Sequence, residues 1–260
     1  MPEAETLLKV EKLSRHFGGV RAVDEVTYSV SPGVIKAIIG PNGAGKTTMF
    51  NLIAGSLKPT AGDIFLKEKK VTGKTDYKMA TLGVARTFQS TRIFHNMTVI
   101  ENVMIGRHPR SRSGFASSAL RMPWMIKEEK KISTKALQSL EFVGLANKAH
   151  EAADNLPFKD QRLLEFARAL ATEPEILLAD EPAAGLNTRE TREIAALIKK
   201  INASGVTVLL VEHDMSLVMQ ISDEIIVLDY GKKIAEGNPE EIRNNKDVIA
   251  VYLGRRGENA

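Results

Sequence analysis

A glycine-rich turn in the first fifth of the chain constrains the fold more than any other feature. Its residues are Gly40, Pro41, Asn42, Gly43, Ala44, Gly45, Lys46, Thr47 and Thr48. They match the pattern G-x-x-x-x-G-K-[ST], directly after the apolar run VIKAII and before the helical pattern KTTMFNLIAG. Glycines let consecutive backbone N–H groups converge on phosphate oxygens, and the following helix adds its positive end. The spacing therefore predicts a strand, a phosphate-binding turn and a helix.

The alternative is a strand-to-helix turn that is glycine-rich without binding a ligand. With glycine at about 7% of residues, a chance match in a chain of this length is on the order of one in a hundred. The flanking strand and helix patterns lower that figure further. We therefore expect Lys46 to reach the β- and γ-phosphates of a nucleotide, and the Thr47 hydroxyl to ligate Mg²⁺.

Short β-branched runs alternate with helical patterns along the rest of the chain. Nearly continuous apolar runs occur at 34–39, 84–88, 175–179, 206–211 and 224–228. Such runs are typical of strands covered on both faces, so they predict an α/β fold with a parallel sheet. The segments at 7–10, 26–30 and 64–67 lie near turn signals instead, which predicts a smaller, mostly antiparallel sheet.

The strand pattern stops between about residue 90 and residue 157. Thr98 and Glu101 form a T-x-x-E capping box, and a longer helix is predicted from Trp124 to about Phe142. We read 91–157 as an inserted α-helical subdomain. Residues 1–90 and 158–260 then form the α/β core with its antiparallel part, within one domain spanning 1–260. For the Ser- and Arg-rich loop at 108–123 the default is a flexible connector.

Composition excludes several classes of protein. The 260 residues include no Cys, which rules out disulfides, thiolate metal sites and cysteine catalysis. No apolar run approaches the roughly 18 to 20 residues that cross a bilayer. The start MPEAETLLKV carries acids where a signal peptide would carry basic residues, so we expect a cytoplasmic protein. The net charge of +4 permits contact with lipid or nucleic acid and establishes neither.

Two adjacent acids indicate what happens to the nucleotide. Asp180 and Glu181 directly follow the apolar run EILLA, so Asp180 is predicted to hold Mg²⁺ at the carboxyl end of a strand. Glu181 suits a general base for the water that attacks the γ-phosphate. The alternative is a solvated strand end. A guanine site would want Asn-Lys-x-Asp, but NNKDV brings Asp247 one residue too early, so the sequence favours ATP.

The set of motifs resembles the nucleotide-binding subunits of ABC (ATP-binding cassette) transporters. It comprises GPNGAGKTT, Gln89 after VARTF, LLADEP, AAGLN and His213 after VTVLLVE, in the family's order over essentially the whole chain. This implies a P-loop NTPase core of ABC type and an ATPase that uses ATP and Mg²⁺. More narrowly, RTFQ, MTVIENVMIGRH, DEPAAGLNTRET and NPEEIRNNKDVIAVYLG resemble the branched-chain amino acid transport ATPases.

The resemblance implies roles that the residues alone do not establish. Phe17 would stack on the adenine ring. Gln89 would sense Mg²⁺ or the attacking water, and His213 would contact the γ-phosphate. The stretch 185–187 matches the loop that crosses to a facing subunit. Without the family, these residues read as a packing Phe, a surface Gln, a structural His and a helix-capping turn.

The segment from Leu156 to Asp160 departs from the family pattern. In ABC dimers, a Leu-Ser-Gly-Gly-Gln-like segment of one subunit meets the γ-phosphate bound by the other. Here Pro157 lacks both the hydroxyl and an N–H group, and Lys159 replaces the second glycine. Asp160 is expected to repel the phosphate. Each charge-assisted hydrogen bond lost costs about 1.5 to 3 kcal/mol, so the segment is expected to be a poor phosphate clamp.

This departure favours a heterodimer over a homodimer, which would carry the defect in both sites. The expected partners are a second, non-identical ABC ATPase subunit, integral membrane permease subunits and, indirectly, a solute-binding protein, but no nucleic acid. The chain would then lie on the inner face of the cell membrane. Three alternatives stay open: a clamp that works through Lys159 and its helix dipole, a soluble single-cassette ATPase of an assembly or nucleic-acid-linked process, and a nucleotide switch without turnover.

Overall fold

The computed structural model describes residues 6–87, 93–107 and 123–254, with backbone alone at 123–127 and 253–254. Four strands near the amino terminus form an antiparallel sheet in the order β2-β1-β4-β5. They are β1 (Leu8–Phe17), β2 (Val20–Val30), β4 (Ala61–Leu66) and β5 (Lys69–Lys70). The predicted antiparallel sheet is confirmed. β1 extends well past the predicted 7–10 because its second half is a polar hairpin arm with little apolar signal.

A second sheet of six strands forms the centre of the fold, in the order β10-β9-β3-β8-β7-β6. Its strands are β3 (Ile35–Ile39), β6 (Val84–Arg86), β7 (Ile176–Asp180), β8 (Thr207–Val211), β9 (Glu224–Asp229) and β10 (Lys232–Gly237). The first five are parallel, as predicted, and they match the five apolar runs. The edge strand β10 was not predicted, because its sequence KKIAEG is largely polar; it pairs antiparallel with β9.

Helices connect and cover the strands. Their bounds are α1 (Lys46–Ile53), α2 (Asp76–Thr81), α3 (Val99–Gly106), α4 (Pro123–Val143), α5 (Phe158–Ala171), α6 (Thr188–Ala203), α7 (Met215–Ile221), α8 (Pro239–Asn244) and α9 (Lys246–Gly254). The predicted capping box of α3 is confirmed: Thr98 accepts from the Glu101 N–H, and the Glu101 carboxylate accepts from the Thr98 N–H. Among the described residues, no helix has both the length and the apolar character that crossing a bilayer requires.

The six-stranded sheet separates two hydrophobic cores. Along β8, Val208 and Leu210 belong to one core while Leu209 and Val211 belong to the other, as the alternation of side chains in a strand requires. The first core packs the sheet against α3 to α7. The second packs it against α1 and the antiparallel sheet. Within the first, α3, α4 and α5 pack on one another.

The register of the strands brings the predicted motifs to one edge. Ile38 on β3 and Asp180 on β7 both lie opposite Val211 on β8, the strand between them. Because parallel strands end at the same edge of a sheet, the glycine-rich turn, the two acids and His213 emerge together.

Candidate functional site

The base of the glycine-rich turn packs against β9, and its tip faces open space. At Gly40 (φ +149°) an added Cβ would collide with the backbone oxygen of Leu228 on β9, so only glycine fits there. At Gly43 (φ +81°) nothing lies within 4 Å of such a Cβ, and the residue is exposed. The base of the turn is therefore packed, and its tip is accessible to a ligand.

Lys46 folds back over this turn from the first position of α1. Its Nζ donates to the carbonyl oxygens of Gly40, at 2.7 Å, and Pro41, at 3.0 Å. Gly45 caps α1 without a side-chain hydrogen bond, and the first turn of the helix has no acidic residue. Thr47 is exposed on that turn, beside the half-buried Thr48. Because no side chain caps α1, the backbone N–H groups of its first turn can bind an anion.

Asp180 is buried at the end of β7, and its two carboxylate oxygens differ in environment. Oδ2 accepts from Arg86 Nη2 at 2.6 Å, whereas Oδ1 is buried without a hydrogen-bond partner. An orphaned buried carboxylate oxygen in a native fold calls for a ligand or water. Mg²⁺ is commonly held by one or two carboxylates together with substrate phosphates, so the donor set fits a metal–nucleotide. Within the described ranges no cluster of three acidic or His side chains could hold a metal without such a substrate.

Glu181 follows in a left-handed conformation, with φ +46°. Its N–H donates to the Val211 oxygen at 2.9 Å, which fixes the turn after β7 against β8. Its Oε2 lies 3.9 Å from Nδ1 of His213, whose side chain is 63% exposed. The structure thus brings together two of the predicted catalytic residues.

Glu212 was not among the predicted site residues. It is 1% exposed, and its carboxylate accepts from the N–H groups of Ala183, at 3.0 Å, and His213, at 3.1 Å. The pKa of Glu212 is raised, because the effect of burial outweighs these hydrogen bonds, which lower the pKa. An acid directly after the apolar run VTVLLV was the available sequence signal, of the same kind that identified Asp180. Glu212 ties the turn after Glu181 to the turn that carries His213.

Phe17 ends β1 at the hairpin to β2. The residue is 44% exposed, and the guanidinium of Arg15 lies 4.5 Å from the ring centroid. Ala22 of the same hairpin lies close enough that a Cβ at Gly45 would collide with its oxygen. The ring is therefore accessible, and it lies on the hairpin whose residue Ala22 contacts the glycine-rich turn. Gln89, the remaining predicted site residue, lies outside the described residues.

The segment from Leu156 to Asp160 opens α5, with Pro157 at the N-cap position and no side-chain capping bond. Lys159 Nζ donates to Glu193 on α6 at 2.8 Å. The Asp160 carboxylate accepts from Lys148 at 2.6 Å, and the residue is 8% exposed. The Asp160 carboxylate is therefore buried and paired within the chain, which weakens the repulsion of a phosphate expected from it.

The stretch Gly185-Leu186-Asn187 lies next to this segment. A Cβ at Gly185 would lie 3.1 Å from Cε1 of Phe158. The Asn187 side chain accepts from the N–H groups of Arg189 and Glu190, so it caps α6. Helix capping, the alternative reading of these residues, is thus present in the structure.

Family models match most of the chain. The model described as "ABC transporter" matches residues 23–184. A second, described as "Branched-chain amino acid ATP-binding cassette transporter", matches residues 232–258.

Individual relatives agree with these matches. The chain is 46% identical over 252 residues to the high-affinity branched-chain amino acid transport ATP-binding protein LivG of Escherichia coli K12, covering 96% of this chain and 99% of LivG. The ADP conformation of MJ1267, an ATP-binding cassette of an ABC transporter, superposes with a TM-score of 0.82 at 32% identity, covering 96% and 99% of the two chains.

A dimeric ABC transporter cassette, MJ0796, superposes with a TM-score of 0.76 at 26% identity, covering 90% of this chain and 99% of that one. Sequence, site geometry and relatives agree on the cassette fold and on ATP with Mg²⁺ as its ligands. The chain belongs to the ATP-binding subunits of ABC transporters, and it is an ATPase.

Proposed function

We propose that this chain hydrolyses ATP to energise the uptake of branched-chain amino acids, or related small polar solutes, through separate membrane subunits. The observation that carries the proposal is the convergence of the glycine-rich turn, Asp180, Glu181 and His213 at the carboxyl edge of one sheet. The solute is inferred from the name of LivG and from the family model at 232–258. These findings favour a transporter over the single-cassette assembly ATPase.

The phosphates of ATP would lie in the turn from Gly40 to Thr48. Its open tip at Gly43 and the uncapped start of α1 offer backbone N–H groups. The Lys46 ammonium is within the turn and would exchange carbonyl contacts for phosphate oxygens. The exposed ring of Phe17 would stack on adenine, adding about 1 kcal/mol to binding.

Thr47, Asp180 and Gln89 are the residues we propose to hold Mg²⁺. Thr47 is exposed on the first turn of α1, and Asp180 presents an unpaired oxygen at the strand end. When bound, Mg²⁺ would neutralise charge on the β- and γ-phosphates.

Glu181 is proposed as the general base that orients and deprotonates the attacking water. Its backbone is fixed by the Val211 oxygen, and its side chain, 18% exposed, can reach solvent. His213 would contact the γ-phosphate from the next turn. Glu212 acts only as a positioning residue, because its carboxylate is buried against backbone N–H groups on both turns. General-base catalysis of this kind contributes about 10²- to 10⁴-fold.

A heterodimer with one competent and one impaired site completes the proposal. Two features argue against the segment at 156–160 as a clamp for a phosphate bound by the other subunit. Lys159 is paired with Glu193 of its own chain, and the N-cap of α5 is Pro157, which has no N–H group to donate. A partner with an intact Leu-Ser-Gly-Gly-Gln segment would complete the site built on Lys46 and Glu181 of this chain. The dimeric cassette MJ0796 supports pairing between two cassettes of this fold.

A groove of about 830 Å³ is the surface we propose for the permease subunit. Its lining joins α2, the end of β6, α3 and α5, and includes Tyr77, Val84, Phe94 and Ile105. Arg86 and Ile93, on either side of the stretch that contains Gln89, both line it. A permease segment in the groove would thus contact both flanks of that stretch and hold the chain on the inner face of the membrane.

The test is reconstitution of this chain with the permease and solute-binding proteins encoded by neighbouring genes. ATP-dependent uptake of leucine, isoleucine or valine into vesicles is expected, and Lys46→Ala should abolish it while leaving the complex assembled. Recovery of the chain in the membrane fraction should require the permease subunits. Uptake that is unaffected by Lys46→Ala, or assembly with ribosomes in place of membranes, would overturn the proposal.

A further inference from the structure

Arg86 joins three elements of the site through one guanidinium group. It ends β6, and its side chain is 13% exposed. Nη2 donates to Asp180 Oδ2 at 2.6 Å, and Nη1 donates to Asn51 Oδ1 at 2.6 Å. Asn51 lies on α1, the helix that begins at the phosphate-binding turn. The planar guanidinium therefore bridges the helix that binds phosphate and the strand that carries the predicted metal ligand.

The neighbouring residue reinforces the same connection. The Thr87 N–H donates to the Leu178 oxygen at 2.9 Å, and the Thr87 hydroxyl oxygen lies 3.4 Å from the Asp180 nitrogen. Both the backbone and the side chain of Asp180 are thus contacted from the end of β6 and the residue that follows it. Because Arg86 occupies Oδ2, the carboxylate cannot rotate freely, and the buried Oδ1 is the atom left for a ligand.

We infer that Arg86 is a positioning residue that orients Asp180 toward Mg²⁺ and couples that orientation to α1 through Asn51. The inference rests on the proposed role of Asp180 as a metal ligand. Groups that orient a metal ligand in this way commonly change metal affinity by about 10- to 100-fold when they are removed.

A competing effect has the opposite sign. The Arg86 cation lies on the same carboxylate as the expected Mg²⁺, and two cations repel each other. If repulsion dominates, removing Arg86 strengthens metal binding; if orientation dominates, removing it weakens metal binding. The unequal environments of the two Asp180 oxygens favour orientation, because the guanidinium and the metal would then use different atoms.

The experiment measures ATP affinity calorimetrically on the full-length chain, in EDTA and in excess MgCl₂. The ratio of ATP affinity in MgCl₂ to ATP affinity in EDTA is the gain from Mg²⁺. For Arg86→Met we expect the affinity in EDTA to be unchanged and the gain from Mg²⁺ to fall about tenfold or more. Arg86→Lys keeps the charge but replaces the planar two-pronged guanidinium with a single ammonium group, so it should fall between Arg86→Met and the wild type. Asn51→Ala should move the gain in the same direction by a smaller factor.

Arg107→Gln is the matched control. Arg107 is also a buried arginine, 7% exposed, and it donates to the Ala171 oxygen at 2.9 Å, with no hydrogen bond to Asp180. The Arg107→Gln variant should have a lower midpoint of thermal unfolding and the same gain in ATP affinity from Mg²⁺. Electron paramagnetic resonance of Mn²⁺ bound with ATP gives a second readout, in which Arg86→Met should alter the spectrum and Arg107→Gln should not.

The outcomes separate the inference from the proposed function. If the wild type shows no gain from Mg²⁺, the proposed role of Asp180 fails. If the wild type shows a gain and the Arg86 variants bind the metal–nucleotide equally well or more tightly, the inference alone is overturned. If Arg86→Met does not fold, Arg86→Lys and Asn51→Ala decide by the same criterion.

Discussion

Lys159 and Glu193 are joined by an ion pair of 2.8 Å within the same chain. The pair connects the second residue of α5 to the middle of α6, and Glu193 also contacts Arg189 at 3.3 Å. An exposed pair of this kind contributes little to stability. The ion pair matters because it holds Lys159, the only cation of the segment 156–160, against α6 of the same chain and so away from a phosphate bound by a facing subunit. We therefore expect Lys159 to make a weak substitute for the missing N–H donors.

Replacing the segment should repair the clamp. Pro157→Ser, Phe158→Gly and Lys159→Gly together restore a hydroxyl and glycine N–H groups, so ATP hydrolysis by the isolated chain should rise about tenfold or more. Glu193→Gln, which frees Lys159 and leaves the segment otherwise intact, is the control and should change the rate less than about twofold. An equal rise in both variants would show that Lys159 itself can serve as the phosphate contact.

Glu181→Gln should separate ATP binding from hydrolysis. The amide preserves shape but cannot accept the proton of the attacking water, so kcat should fall about 10²- to 10⁴-fold with ATP affinity within about twofold. Stopped-flow phosphate release and equilibrium nucleotide binding on the assembled complex measure the two quantities. Glu240→Gln, at an exposed position on α8, should behave as the wild type. A parallel loss of binding would assign Glu181 a structural role.

Two glycines of one turn should respond differently to the same substitution. Gly40→Ala brings a methyl group into collision with the Leu228 oxygen, so thermal denaturation should show a large loss of stability. Gly43→Ala meets no atom within 4 Å, and its positive φ should cost only about 1 kcal/mol. Its methyl group would instead lie where the phosphates are expected, so ATP affinity should fall. Unaltered ATP affinity in Gly43→Ala would contradict the phosphate site.

Glu212 should make stability depend on pH in a direction unusual for an acid. Burial raises the pKa of Glu212 above its ordinary value of 4.5. The folded state therefore holds this proton more tightly than the unfolded state, which favours folding at low pH. That contribution is lost as the pH rises from about 4.5 through the folded pKa. Urea denaturation across this range should show the wild type losing stability relative to Glu212→Gln, whereas parallel curves would contradict the assignment.

Local patterns predicted the elements that carry the chemistry. The apolar runs located β3, β6, β7, β8 and β9 because strands buried on both faces carry near-continuous hydrophobic sequence. The capping box of Thr98 and Glu101 located the start of α3. Once parallel order is assumed, the common edge of Asp180, Glu181 and His213 follows from where the strands end.

Long-range polar pairs were beyond such patterns. Asp160 reads as an isolated acid in sequence, yet Lys148 neutralises it from 12 residues away. Arg86 pairs with Asp180, 94 residues away in sequence, and Lys159 pairs with Glu193, 34 residues away. No spacing rule specifies these partners, because they are set by how helices and strands pack. β10 was missed for a different reason: this edge strand has no fully buried residue, so its sequence carries little apolar signal.

The central claim is that this chain supplies the phosphate-binding turn and the base of one competent ATP site, completed by a different subunit. The most direct measurement compares steady-state ATP hydrolysis by the chain alone with hydrolysis by the chain paired with a partner cassette that carries an intact Leu-Ser-Gly-Gly-Gln segment. We predict slow hydrolysis alone and rapid hydrolysis in the pair, abolished by Glu181→Gln in this chain. Rapid, Glu181-dependent hydrolysis by the isolated chain would contradict the account.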